Sequence, residues 1–255
     1  ETPGDVYGTQ SSYKQHKTSR NQKTLPYHDD LKKSGACFGV SGEYERPMWY
    51  SLNSNSAEYE YSFEYQNWYP SVEFETKNTV KNVGLFELSP FSKYEIKGEL
   101  AHNELQRLCT ANIKNEIGKS TYTQMLNESG GIETDLTVIC IEKNFFRIIS
   151  SAATRTHDKA HILKYLSPSL EFKDITDELV CLGVFGPKSR TLISKISKDD
   201  FSNEGFEFGA GKFVNIESKR VWVQRLSYVG ELGFELYIEI KDAKEIYEII
   251  IKEGK

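Results

Sequence analysis

The sequence predicts an α+β fold of mixed, partly hairpin-linked sheets with flanking helices. Three observations carry that expectation. Short alternating or continuous apolar runs recur between turn residues, and several lie close enough in the chain to pair as hairpins. Helical patterns fall among them irregularly instead of following each strand. The Gly-x-Gly-x-x-Gly turn of a doubly wound dinucleotide fold is missing, because Gly209-Ala210-Gly211 lacks both the third glycine and a following helix.

The elements follow in order. Residues 1–30 hold only two aliphatic residues, Val6 and Leu25, and read as a linker or as a surface strip that docks on a neighbour. Tyr59, Tyr61, Phe63 and Tyr65 alternate with period two and predict an extended strand. Pro70 suits the first turn of a helix running to about Asn82. Residues 91–97 alternate as a strand closed by Gly98, and Leu100, Leu105 and Leu108 suit one helix face. Residues 122–126 and 136–141 flank Gly130-Gly131 as strand, turn and strand. Residues 145–149 predict another strand, 154–166 a helix and 179–185 a buried strand. Gly186-Pro187 opens a helix with Leu192, Ile193 and Ile196 on its apolar face. Two more strands, 221–226 and 234–240, precede a last helix that Asp242-Ala243-Lys244-Glu245 heads as a capping-box pattern. The chain starts at Glu1 and stops at Lys255 directly after this helix, so a piece of a longer protein is expected.

Composition excludes several function classes. Among 255 residues, 38% are apolar and 27% charged, an ordinary globular balance. The net charge of −5 argues against a nucleic-acid arm or a polybasic membrane anchor. No apolar run approaches the ~18 residues that span a bilayer, and the N-terminus has no signal-peptide core. Cys37, Cys109, Cys140 and Cys181 form no Cys-x-x-Cys pair and are expected to be buried free thiols in a reducing compartment, cytoplasm or mitochondrial matrix. A zinc site or disulfide framework is not expected. His157 and His161 lie four apart on a predicted helix, but Asp158 and Lys159 beside them suggest a solvated face rather than a metal site. Gly186-Pro187-Lys188-Ser189 has the wrong spacing for a phosphate loop, and no Gly-x-Ser-x-Gly elbow appears.

Two stretches are chemically specific. In residues 122–138, Asp135 follows the Gly130-Gly131 turn and opens an apolar strand. It could aim a carboxylate into a cavity or cap the turn through backbone N–H groups. In residues 225–237, Tyr228 and Glu235 flank a turn containing Gly230 and Gly233 and could face one space. Glu235 could equally face solvent.

Together these stretches resemble the folate-binding domain of the aminomethyltransferase family, the glycine-cleavage T-protein type. Gly84-Leu85-Phe86-Glu87-Leu88-Ser89 with Lys93-Tyr94 and Gly98 resembles its opening strand, residues 130–138 its Gly-Gly-x-x-x-Asp segment, and residues 225–235 its Ser-Tyr-x-Gly-Glu-x-Gly-x-Glu segment. Upstream, Gly35-Ala36-Cys37-Phe38-Gly39, Glu45-Arg46-Pro47-Met48-Trp49 and Gln66-Asn67-Trp68-Tyr69 look like dimethylglycine and sarcosine dehydrogenases, long flavoproteins with a folate domain after the flavin domain. Thr134 stands where stand-alone T-proteins usually carry a second Asp, which favours the dehydrogenase branch.

The resemblance implies that residues 1–44 end a preceding flavoprotein region and that residues 45–255 form an aminomethyltransferase-like folate-binding domain, incomplete at its C-terminus. It implies tetrahydrofolate as the bound cofactor, an N-methylated amine as substrate, and FAD only in a flavin domain elsewhere in the same protein. Glu235 would take the pterin 2-amino and N3–H donors and Tyr228 would pack against or orient the ring. Asp135 would be the catalytic carboxylate near N5 and N10, accepting a proton or stabilising the positive charge that develops during attack. Glu45, Arg46, Pro47 and Trp49 read as a packing feature and Glu231 as a turn residue. The implied activity is capture of an iminium carbon as 5,10-methylene-tetrahydrofolate. The alternatives are a T-protein-like aminomethyltransferase and a non-catalytic folate-binding module.

Overall fold

The computed structural model describes residues 14–53 and 57–255, so Val6 lies outside the described residues. Contacts divide the chain into two compact units, residues 1–78 and 79–255. Tyr44 and Glu45, on either side of the expected border, are the first two residues of one hairpin strand.

The first unit holds helix α1 (His28–Lys33), strands β1 (Ala36–Ser41) and β2 (Tyr44–Tyr50), and most of helix α2 (Tyr69–Lys81). β1 and β2 pair antiparallel. Gly42 and Glu43 between them have φ of 54° and 72°, the double left-handed geometry of a two-residue hairpin turn. Glu45 is buried and accepts hydrogen bonds from Arg20 Nε at 2.8 Å and from the Asn21 amide at 2.6 Å. Arg20 Nη2 also donates to the Phe38 carbonyl at 3.0 Å. This pair straps the incoming segment onto the hairpin. The expected strand at 59–65 is absent among the described residues. No partner strand offers it a ladder, and its alternation serves ring packing instead: Tyr59 and Tyr61 stack at 5.5 Å and Trp49 meets Tyr59 edge-on at 6.1 Å. Asn67 pins the same segment through the Glu60 amide and the Glu58 carbonyl.

The second unit is layered. One five-stranded sheet has the order β5-β6-β7-β4-β8, from β4 (Ser92–Lys97), β5 (Ser120–Leu126), β6 (Ile132–Glu142), β7 (Phe145–Ser150) and β8 (Glu171–Asp174). The other has the order β10-β11-β12-β9-β3, from β3 (Gly84–Glu87), β9 (Leu179–Phe185), β10 (Gly211–Ile216), β11 (Lys219–Gln224) and β12 (Gly233–Glu239). All of these pairings are antiparallel. Leu136, Val138, Phe146 and Ile148 face a core that takes in Leu105 of helix α3 (Ala101–Leu108) and Ile162 of helix α4 (Arg155–Tyr165). Ile139 and Ile141, on the other face of β6, pack on Cys181, Trp222 and Tyr237 of the second sheet. Helices α5 (Ser189–Ile196) and α6 (Ala243–Gly254) contact one another, and α5 touches β12. The fold class is therefore α+β, as the sequence predicts. All four cysteines are free and buried.

Candidate functional site

The two sheets bring their motif carboxylates to one interlayer. Strand alternation puts Asp135 on the same face of β6 as Thr137 and Ile139, and Glu235 on the same face of β12 as Tyr237. Ile139 and Tyr237 meet in the cluster between the sheets. Asp135 and Glu235 thus project from facing sheets toward one another's layer.

Asp135 is exposed and lies three residues inside β6, opposite Gln124 of β5. Its Oδ2 accepts a hydrogen bond from Tyr122 Oη at 2.8 Å, and that bond raises the Tyr122 pKa. Asp135 does not serve the turn. Asn127 does so, its Oδ1 accepting from the Ser129 amide at 3.0 Å and the Gly131 amide at 2.8 Å, while Gly130 takes φ of 80°. The register of β5 on β6 slips between Met125 and Leu126, which pair with Thr134 and Ile132, so Glu133 is the extra residue of a bulge. A bulge here re-aims the strand immediately before Asp135. Glu133 Oε2 meets His157 Nε2 at 2.9 Å, and His157 Nδ1 lies 3.3 Å from the buried Asp158. The two histidines of α4 are so used in side-chain contacts, His161 edge-on to Tyr165 at 5.1 Å.

Glu235 is 5% exposed, which removes the solvent-facing reading. It sits opposite Gly183 of β9 and Gln224 of β11. Burial pushes its carboxyl pKa up, and a hydrogen bond from Tyr237 Oη at 2.7 Å opposes that rise. Among the described residues Tyr237 is the donor to this carboxylate, so acceptor capacity remains for the paired N–H groups of a pterin edge. Gln224 is spent on structure, since its Nε2 donates to the Gly118 and Gly209 carbonyls at 3.2 and 2.9 Å. Gly211 makes room for it: a Cβ there would fall 2.1 Å from Gln224 Oε1.

Tyr228 joins the two carboxylates. It stands 74% exposed on the loop before β12. Its phenol pKa is raised by partial desolvation first, and also by Glu235, Tyr122 and Asp135, while a hydrogen bond to Thr137 pulls it down. The charges of Glu235 and Asp135 both act on the Tyr228 phenol. Tyr122 and Thr137 complete the group and were not singled out from sequence. Their signal was available, because Tyr122 pairs with Thr137 across the β5–β6 hairpin two residues from Asp135.

Comparisons with known proteins place the chain in a family. The family described as GCVT N-terminal domain matches residues 27–255. A 4-methylaminobutanoate oxidase (formaldehyde-forming) of Paenarthrobacter nicotinovorans is 35% identical over 253 residues, 99% of this chain and 31% of that protein. The mitochondrial dimethylglycine dehydrogenase of Rattus norvegicus is 33% identical over 232 residues, 88% of this chain and 26% of that protein. The chain thus spans about a quarter to a third of the length of these relatives. The crystal structure of glycine cleavage system aminomethyltransferase T from Bartonella henselae superposes with a TM-score of 0.73 at 24% identity, covering 90% of this chain and 57% of that one, and shows the shared fold. Matched over residues 27–255, the chain belongs to the GCVT N-terminal domain family, the tetrahydrofolate-binding domain of aminomethyltransferases and their relatives.

Proposed function

We propose that this chain is the tetrahydrofolate-binding, one-carbon-transfer part of an FAD-dependent N-methyl amine dehydrogenase of the dimethylglycine or sarcosine type. The observation that carries the reading is the buried Glu235 carboxylate, bonded to Tyr237 and with acceptor capacity to spare, on the face of β12 that meets the Asp135 face of β6. Similarity to the formaldehyde-forming 4-methylaminobutanoate oxidase and the dimethylglycine dehydrogenase supports the choice of branch. In this reading residues 1–44 belong to the end of a flavin-bearing region, which would hold the FAD, and residues 45–255 to the folate domain.

Tetrahydrofolate supplies nucleophilic N5 and N10. Glu235, buried and bonded to Tyr237, would take the pterin 2-amino and N3–H donors and fix the ring's orientation. Tyr228 supplies a ring face at the mouth of the site. Asp135, exposed and already a hydrogen-bond acceptor, holds or takes a proton where N5 and N10 change charge. The product is 5,10-methylene-tetrahydrofolate. A second reading draws on the similarity to the formaldehyde-forming oxidase: the site binds folate, yet the carbon leaves as formaldehyde.

The deciding experiment uses the complete protein encoded around this chain. Supplied with dimethylglycine or sarcosine and saturating tetrahydrofolate, it is expected to form methylene-tetrahydrofolate at the expense of formaldehyde. Quantitative formaldehyde release at saturating folate would reject carbon capture in favour of the second reading.

A further inference from the structure

We propose that Tyr237, backed by Arg147, is a positioning residue for the folate site: its hydroxyl holds the Glu235 carboxylate in one orientation and favours its charged form. The proposal rests on the folate reading for what Glu235 meets, but its geometry stands apart from that reading. Tyr237 Oη donates to Glu235 Oε2 at 2.7 Å, and the two side chains are 3% and 5% exposed. A carboxylate so buried loses its charge unless something donates to it. Tyr237 is that donor, and its own proton is secure because burial, followed by the charge of Glu235, drives the phenol pKa well above its usual value.

Arg147, from the facing sheet, supplies the cation. Its guanidinium carbon lies over the Tyr237 ring, 5.7 Å from the centroid. Its Nη2 donates to Glu95 Oε1 at 2.7 Å, whereas its buried Nε and Nη1 make no hydrogen bond. A buried guanidinium with two unbonded donors is costly unless it serves a neighbour. The neighbour that the structure places against it is the aromatic face of Tyr237, where a cation draws electron density from the ring and strengthens its O–H as a donor. Glu95 on β4, with Lys97 3.5 Å from its other oxygen, keeps Arg147 in place. The line from Glu95 through Arg147 and Tyr237 to Glu235 therefore crosses from one sheet to the other.

The groups that bear on Glu235 are few. Besides Tyr237 they are Cys181 on β9, whose buried thiol is held neutral, and Tyr228 on the loop. Lys93 and Glu87 act on Cys181.

Tyr237→Phe removes the hydroxyl and keeps the ring. The test follows Glu235 by carboxyl ¹³C NMR, assigned by its loss in Glu235→Gln, and measures the affinity of the 255-residue chain for 5-formyltetrahydrofolate from pH 5 to 8. In Tyr237→Phe the Glu235 midpoint is expected to rise by about one pH unit, the size of one lost hydrogen bond. The fall of affinity on acidification should move up with it. Arg147→Met should shift both midpoints the same way by less, and Arg147→Lys should restore part of the shift. If Tyr237→Phe does not fold, the two Arg147 variants read the same midpoints. Unmoved midpoints in the folded variants would overturn the positioning role while leaving folate binding intact. Shifted carboxyl midpoints in the variants, with a wild-type chain that binds no 5-formyltetrahydrofolate, would uphold the positioning role and reject the folate reading.

Discussion

Asp135 and Glu235 are carboxylates in opposite settings, one exposed near the start of β6 and accepting from Tyr122, the other buried and accepting from Tyr237. Different settings imply different duties. Glu235→Gln places an NH₂ against a ligand donor, and a lost charged hydrogen bond costs ~1.5–3 kcal/mol, roughly 10- to 150-fold in folate affinity. Asp135→Asn keeps the size and removes the base. Affinity should change by less than about tenfold, whereas methylene transfer should fall by roughly 10²-fold or more. Equilibrium titration with tetrahydrofolate and the product split between methylene-tetrahydrofolate and formaldehyde read the two effects separately. An unchanged split in Asp135→Asn would remove the catalytic role. Both residues are singled out in sequence because each sits in a dense local motif. Arg147 and Tyr237 were not, since their contact joins strands far apart in the chain and depends on how the two sheets face each other.

At the scale of elements, the bulge in β6 links Asp135 to α4. His157 has a raised pKa, through its bond to Asp158 first, against some desolvation, and then through Glu133. A histidine whose folded pKa exceeds its unfolded one stabilises the fold below the unfolded value near 6.5 and loses that contribution as pH rises through the folded value. Thermal midpoints of His157→Asn should therefore lie further below wild type at pH 5.5 than at pH 8.5, and the His157 ring should titrate above 6.5 by NMR and lower in Glu133→Gln. A difference equal at both pH values would contradict the bridge. A second element-level outcome concerns the turn into α5. Gly186 has φ of +129°, and a Cβ there would meet the Asn82 and Thr79 carbonyls at 2.5 and 2.7 Å. Gly186→Ala should destabilise the protein by at least ~1–3 kcal/mol, read as a lower urea midpoint. Strand 179–185 was legible to the residue because a continuous apolar run needs burial on both faces. The helix start at Asp242 was also legible, though its side chain meets Lys219 Nζ at 3.0 Å instead of making a cap hydrogen bond. Period-two aromatics at 59–65 misled, since alternation alone does not supply a partner strand.

Across the second unit, burial between the sheets also governs Lys93. Fully buried, it donates to the Ser89 and Phe91 carbonyls at 2.8 and 2.7 Å, and desolvation brings its pKa down to about 8. Its unfolded value is near 10.5, so between about 8 and 10.5 the unfolded chain binds more protons and stability rises with pH. The cost of the buried charge is complete below pH 8. Measured against Lys93→Met, wild-type stability in urea should gain from pH 8 to pH 10; a constant difference would contradict the assignment. The α+β class was legible from hairpin spacing and irregular helices, whereas the stacking that joins Asp135 to Glu235 is a long-range property that no local pattern encodes. That stacking is the central claim, and its most direct measurement is a crystal structure of the chain with tetrahydrofolate bound. The pterin edge is expected within hydrogen-bond distance of Glu235, its ring against Tyr228, and N5 and N10 on the side of Asp135. A folate bound away from the interlayer, or a pterin that leaves Glu235 without a ligand donor, would contradict the account.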